Sequence, residues 1–279
     1  MSKEDQFRFV SLLGLELENG DISLPSLPDV VMKIRRSLES DSADFESISQ
    51  AVSVDPALVS KLLVFANSAY YNRANVDIDT LDGAIGRLGF EVVRNTAMSL
   101  AMRQLYASEK HSHASAHLRR IWARSMKLSC MSHAVATRHP DVNAETAFLC
   151  GLMSEVGKLY IVTKAEEFPE ILGDEASFNA MCDEWNAQIS KSIIESWKFS
   201  DEVAESADPE HYLDEDPDSE LRLVDVVFVA KKLVDDGDAN GVDVESMPSC
   251  AKLGIDEECL PKILGEYRDK LTSMQQSLA

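Results

Sequence analysis

Residues 147–159 read Ala147-Phe148-Leu149-Cys150-Gly151-Leu152-Met153-Ser154-Glu155-Val156-Gly157-Lys158-Leu159. At first glance this stretch looks like a phosphate-binding P-loop. The spacing rejects that reading. Gly151 and Gly157 stand one residue too far apart, and Leu159 occupies the place where Ser or Thr must hold Mg²⁺. What remains is two helix-like segments, Ala144–Val156 and Gly157–Lys164, whose glycines allow close helix packing and a tight turn.

Outward from this stretch the helical period recurs, and no segment alternates cleanly as a strand would. Ser2 and Asp5 stand at capping-box spacing ahead of a helix over 2–18, with Phe7, Val10, Leu13 and Leu17 on one face. Asn19-Gly20 ends it. Pro25 and Pro28 mark an extended entry to a helix reaching Ser40. Asp55-Pro56 joins a capping carboxylate to a proline suited to the first helical position, so a helix runs over Pro56–Asn67. Its apolar residues surround it, which predicts a buried central helix. Thr80 caps the next helix, Gly89 ends it, and another follows from Phe90 to Tyr106. Further helices are expected over Ala116–His139, Ala176–Trp197 and Leu221–Asp235. Residues 201–218 hold nine carboxylates and no Lys or Arg, and read as a solvated, mobile loop. The fold class is all-α, with two packed helical bundles. Their expected bounds are 1–112 and 113–236, followed by a tail over 237–279 with short helices.

Composition narrows function. Of 279 residues, 27 are Lys or Arg and 48 are Asp or Glu, a net charge of −21. Such a chain repels phosphate backbones and anionic membranes at long range, which argues against nucleic acid and membrane as partners. The start of the chain lacks the apolar core of a signal peptide, and the five cysteines form no Cys-x-x-Cys pair, so a reducing cytoplasm is the expected location.

Several further motifs are Leu24-Pro25-Ser26-Leu27-Pro28, Asp55-Pro56-Ala57-Leu58, Phe65-Ala66-Asn67-Ser68-Ala69-Tyr70-Tyr71, Ala84-Ile85-Gly86-Arg87-Leu88-Gly89 and Ile121-Trp122-Ala123-Arg124-Ser125. With residues 147–159 they resemble, in order, the HDOD family, an offshoot of the HD-superfamily metal-dependent phosphohydrolases. The resemblance covers roughly residues 20–235. It implies an HD-like second bundle and a part in bacterial signal transduction.

Departures from the HD pattern carry the functional expectation. An HD enzyme holds divalent metal on imidazole and carboxylate ligands, and the metal activates water. The resemblance places the first ligand histidine at Arg124 and the His-Asp pair at Ser154 and Glu155. A later histidine falls at Asn186, a His-His pair near Glu210 and His211, and a late Asp near Lys231. Guanidinium cannot ligate a metal. Only Glu155, Glu210 and His211 could form a rebuilt metal site. The expectation is therefore lost catalysis, no cofactor and no metal. A small molecule or nucleotide could still occupy the old cleft, and other signalling proteins are the expected partners. The alternative is a residual metal-dependent phosphohydrolase acting on a nucleotide or cyclic dinucleotide.

Other candidates each have a plain structural reading. Arg124 shares a helical stripe with Arg120 and Lys127, which is either a solvated face or a partner surface. Alternatively, Arg124 turns inward to pair with Glu155. Tyr71 and Arg73 are candidate partner contacts, while Asn67 and Tyr70 read as a structural corner. His111, His113 and His117 form a weak metal motif. Thr80–Ser99 resembles a helix-turn-helix but balances two Arg against two acids, too little charge to grip DNA.

Overall fold

A computed structural model describes residues 3–19, 22, 31–34, 45–107, 114–236 and 242–278. Ser2, Pro25, Pro28, His111 and His113 lie outside the described residues. Among those described, regular structure is entirely helical. The chain divides into two compact units, one of Met1–Pro25 with Tyr106–Ile263 and one of Ser26–Leu105 with Leu264–Ala279. These bounds differ from the sequence division, because the first helix and part of the tail group with the larger unit.

In the smaller unit, local chemistry sets the helix ends. The Asp55 carboxylate accepts from the backbone N–H groups of Ala57 and Leu58 (3.0 and 3.1 Å) and starts helix Pro56–Ala66. Leu58, Leu62, Phe65 and Ala66 on this helix are fully buried or nearly so. The loop after it is pinned by Asn67, whose side chain donates to the Ile78 carbonyl (2.7 Å) and accepts from the Ile78 N–H (2.8 Å). Tyr71 packs edge-on against both Phe65 and Tyr70. Thr80 caps helix Leu81–Leu88, and Gly89, at φ 79°, closes it in a conformation that favours glycine. Arg87 donates to the carbonyls of Ala66 and Val76 (3.0 and 2.7 Å), and Arg94 pairs with Glu91 (2.5 Å). Both arginines of the helix-turn-helix-like segment are thus engaged inside the unit. Helix Phe90–Tyr106 buries Val93, Ala97, Met98 and Met102.

The larger unit begins with helix Lys3–Asn19. Phe9 and Leu13 are fully buried and Val10 and Leu17 half-buried, whereas Phe7 is 73 % exposed, so the expected face packs in part, with Phe9 in place of Phe7. Contacts made far along the chain choose the face. Phe9 packs edge-on against Phe168, and Glu16 accepts from Lys164 Nζ (2.5 Å) and from the Tyr160 hydroxyl.

Glycines bring the next helices to backbone contact. On helix Ala144–Met153, a Cβ at Gly151 would stand 2.6 Å from the Leu128 carbonyl oxygen of helix Ser115–Ala136. On helix Val156–Ala165, a Cβ at Gly157 would stand 2.5 Å from the Asn186 carbonyl oxygen of helix Glu175–Ser196. The apolar run Ala144–Ala165 has the length of a membrane span, but 83 % of it is packed inside the protein.

Part of the acidic stretch is folded rather than mobile. It forms helices Asp201–Glu205 and Pro209–Tyr212, because Val203, Ala204, Ala207 and Pro209 find buried positions. Helix Leu223–Asp235 follows, and helix Pro248–Leu253 is tied to it by the Asp225–Lys252 ion pair (3.1 Å), with both side chains 1 % exposed. The tail is also more regular than its composition suggests, since its last helix runs over Leu260–Leu278.

These close approaches give a stability test. Gly151→Ala and Gly157→Ala should each destabilise the fold by roughly 1–3 kcal/mol through overpacking. Gly86→Ala, exposed in a helix interior with open space around it, should instead stabilise by about 0.5–1 kcal/mol. Urea unfolding of the three variants checks the opposite signs.

Candidate functional site

Glu155 stands where the two glycine-bearing helices break from one another. Helix 144–153 stops at Ser154, and Glu155 takes the non-helical N-cap position of helix 156–165. Asn186 and Ser190 hold this break from helix 175–196. The Asn186 amide donates to the Ser154 carbonyl (2.9 Å) and accepts from the Lys158 N–H (3.1 Å). Ser190 Oγ accepts from the Gly157 N–H (2.8 Å). Ser154 is fully buried, and its hydroxyl donates to the Gly151 carbonyl (3.0 Å). Ser154 and Asn186 therefore shape the turn that presents Glu155.

The Glu155 side chain is 3 % exposed, and a carboxylate so far from water needs close positive charge. Arg124 donates from Nε to Oε1 (3.1 Å), and Lys158 places Nζ 3.1 Å from Oε2. Each cation also takes a second carboxylate nearer solvent. Arg124 donates from Nη1 to Asp235, and Lys158 stands 2.7 Å from Asp183. The chain Asp235–Arg124–Glu155–Lys158–Asp183 thus links four helices. Arg124 turns inward, so the solvated-face reading does not apply to it. Arg120, one turn earlier, pairs with Glu175 in solvent, and Lys127 is exposed.

Electrostatics follow from this packing. Burial alone would lower the pKa of the Arg124 guanidinium, but its hydrogen bond to Asp235 and the charge of Glu155 outweigh it and hold it above the ordinary value. Burial also opposes the Lys158 charge, and Glu155 with Asp183 again outweighs it, so this pKa is raised. Lys231 differs. It is half-buried, and among the described residues it makes no hydrogen bond and no ion pair. Burial pushes its pKa down, the nearby charges of Lys158 and Arg124 add to this, and Glu155 and Asp208 oppose it.

Two cavities of ≈ 550 and ≈ 540 Å³ share Arg124, Glu155, Lys158, Asp183 and Asp235 as walls. The first extends toward His117 and Phe178, whose rings meet edge-on at 5.2 Å. Cys182 also lines it, but burial pushes that thiol up to about 12, so it is not a nucleophile at neutral pH. The second cavity extends to Lys231, Phe228 and Glu210. Neither Trp185 nor Trp197 lines either cavity.

The residues predicted for the site are thus brought together in part. Arg124, Ser154, Glu155 and Asn186 form one cluster, and Lys231 and Glu210 line the adjoining cavity. His211 is exposed, with its ring edge-on to Tyr212 at 4.7 Å. Among the described residues no three His, Cys, Asp or Glu side chains gather as a metal-ligand group, so Glu155, Glu210 and His211 do not form the rebuilt set. The donor set around Glu155 does not fit a divalent cation, since both carboxylate oxygens already face a cationic side chain. Sequence reasoning missed Lys158, Asp183 and Asp235. Lys158 carried a usable signal, standing three residues after Glu155. Tyr71 is half-buried between rings, and Arg73 is exposed.

The sequence profile of the HDOD domain matches residues 24–213. A curated protein of Treponema pallidum, itself uncharacterized, is 23 % identical over 227 residues, which is 76 % of this chain. The chain spans 42 % of that protein's length. Among solved structures, a Shewanella amazonensis protein provisionally named a metal-dependent phosphohydrolase superposes with a TM-score of 0.80 at 22 % identity, covering 98 % of this chain and 100 % of that one. An HDOD domain protein of unknown function from Geobacter sulfurreducens gives 0.69 at 18 % identity over 98 % and 97 % of the two chains. These likenesses establish the fold.

Two stability predictions follow from the ion-pair chain. Arg124→Ala, which leaves a buried carboxylate half-neutralised, should cost about 1–3 kcal/mol. Arg120→Ala should stay within about 0.5 kcal/mol. Denaturant titration of the two variants decides between an inward and a solvated Arg124.

Lys231→Met should stabilise the protein, at pH values where the lysine is charged, by removing a cation that has no ion-pair partner among the described residues. A lysine depressed in the folded state makes wild-type stability rise with pH, from its folded pKa up to its ordinary value of 10.5. The gap between the variant and wild type should therefore be full below the folded pKa and close as the pH rises toward 10.5. Chemical denaturation across that range reads it.

Proposed function

The chain belongs to the HDOD family, and from that premise we propose that it is a regulatory protein of bacterial signal transduction, acting in the cytoplasm by binding other signalling proteins, with an HD-like site that no longer hydrolyses phosphate esters. One observation carries the loss of catalysis. The resemblance places a ligand histidine at Arg124, and there the guanidinium donates to Glu155 while Lys158 covers the second carboxylate oxygen. Hydrolysis by a metal-activated water needs open coordination positions on a bound ion. Two protein cations already hold the retained carboxylate, and repulsion between them and a divalent ion opposes metal entry.

A partner would be recognised through exposed side chains. Arg73, Arg120 and Lys127 are the exposed members of the surface set, and Arg120 shares its charge with Glu175. The provisional name of a structural neighbour from Marinobacter aquaeolei, a signal transduction protein, agrees in kind with this role.

The test is metal content by mass spectrometry on untagged protein purified without chelator, followed by hydrolysis assays on nucleotides and cyclic dinucleotides. The expected result is no stoichiometric Mn, Fe, Ni or Zn and no chelator-sensitive phosphate release. Stoichiometric metal with chelator-sensitive turnover would establish a residual phosphohydrolase instead.

A further inference from the structure

Lys231 is an anomaly in the ion-pair chain. Every other cation beside Glu155 has two carboxylate partners, whereas Lys231 has no hydrogen bond and no ion pair among the described residues. A charge taken out of water without a partner is costly and is rarely kept without use. We propose that the cavity beside Glu155 is a binding site for a phosphate group, held by Lys231 together with Arg124 and Lys158. The proposal rests on the reading that no metal occupies this site.

The geometry supplies the charge. Arg124 and Lys158 hold one buried carboxylate, and with Lys231 and Lys232 they line the same ≈ 540 Å³ cavity, a size within the range of small-ligand sites, about 300–1,000 Å³. Two of these cations are also held by rim carboxylates that can be exchanged. Asp235 and Asp183 have side chains 54 % and 69 % exposed, so each returns to water at small cost, while Glu155 at 3 % cannot. An entering phosphate takes the place of these two carboxylates on Arg124 and Lys158, and it gives Lys231 its first close partner. Guanidinium suits two phosphate oxygens at once, and the two ammonium groups act as point charges.

Other charges set the character of the site. Buried Asp208 acts on Lys231 at longer range, and Glu184, Glu210 and Glu215 stand along the cavity. They penalise heavily charged anions and make binding sensitive to salt. Phe228, Leu213 and Ala187 offer an apolar wall to the remainder of a phosphate ester.

Calorimetric titration of the full chain, in low-salt buffer free of phosphate and after its metal content is measured, tests the assignment. The probes are pyrophosphate and a nucleoside monophosphate. The expected result is one saturable site, weakened roughly tenfold to a hundredfold in Lys231→Met by loss of a charge-assisted hydrogen bond. Asp235→Asn should bind more tightly, having lost a competing carboxylate, and Lys127→Met should bind as wild type does. Pyrophosphate binding as tightly as the ester supports the site with the free anion as its ligand. Tighter binding of the ester supports it with the apolar wall in use. No saturable binding of either probe to metal-free protein, or equal binding by Lys231→Met, overturns this assignment alone. Binding that a chelator abolishes overturns both the assignment and the non-catalytic reading beneath it.

Discussion

A carboxylate removed from water must be neutralised within a few ångströms, and the larger unit is organised around meeting that demand at Glu155. The demand acts on several elements together. Helix 115–136 has to bring Arg124 to Oε1, and helix 156–165 has to begin at a turn that sends Lys158 back to Oε2. Helix 175–196 has to lie close enough for Asn186 and Ser190 to hold the turn. The approach distances are available only because Gly151 and Gly157 present no side chain to the helices they cross. The glycines and the buried charge are thus two parts of one arrangement. The first permits backbone contact, and the second uses the precision which that contact provides.

How much of this was legible in the sequence depends on how far apart the interacting residues lie. Asp55, Thr80 and Gly89 read correctly because a cap and the backbone groups it satisfies are within a few residues of each other. Asn67 could be read as a corner for a similar reason, since its two bonds to Ile78 close a short loop. The packed face of the first helix was legible only in part, at Leu13 but not at Phe7. Phe7 and Phe9 are equally apolar, and it is Phe168, about 160 residues further on, that packs against Phe9 and chooses between them. The acidic stretch misled because nine carboxylates outweigh a few small apolar residues in composition, although Val203 and Ala204 decide the local fold.

The site was legible as a set of positions and illegible as a network. Family resemblance located Arg124, Ser154, Glu155 and Asn186, yet it gave Ser154 and Asn186 only the status of lost ligands. Their work is to hydrogen-bond the turn, a role visible only once the Ser154 carbonyl is seen facing the Asn186 amide. Lys158 escaped notice because its second partner, Asp183, comes from a separate helix. His211 went the other way. Its residue type suggested a ligand, but its ring faces Tyr212 rather than the cavity.

The shared carboxylate also bears on which single substitutions the site tolerates. Arg124 and Lys158 are coupled through Glu155, so the effect of changing either depends on the other. A histidine placed at 124 would regain an imidazole but strip Asp235 and Glu155 of a fixed charge, with Lys158 still covering the second oxygen. An aspartate at 231 would replace a cation by a further negative charge beside a chain whose three carboxylates already outnumber its two cations. Neither substitution alone improves both the fold and the site. The chain of charges therefore behaves as one unit, in which a change at one position has to be matched at its partners.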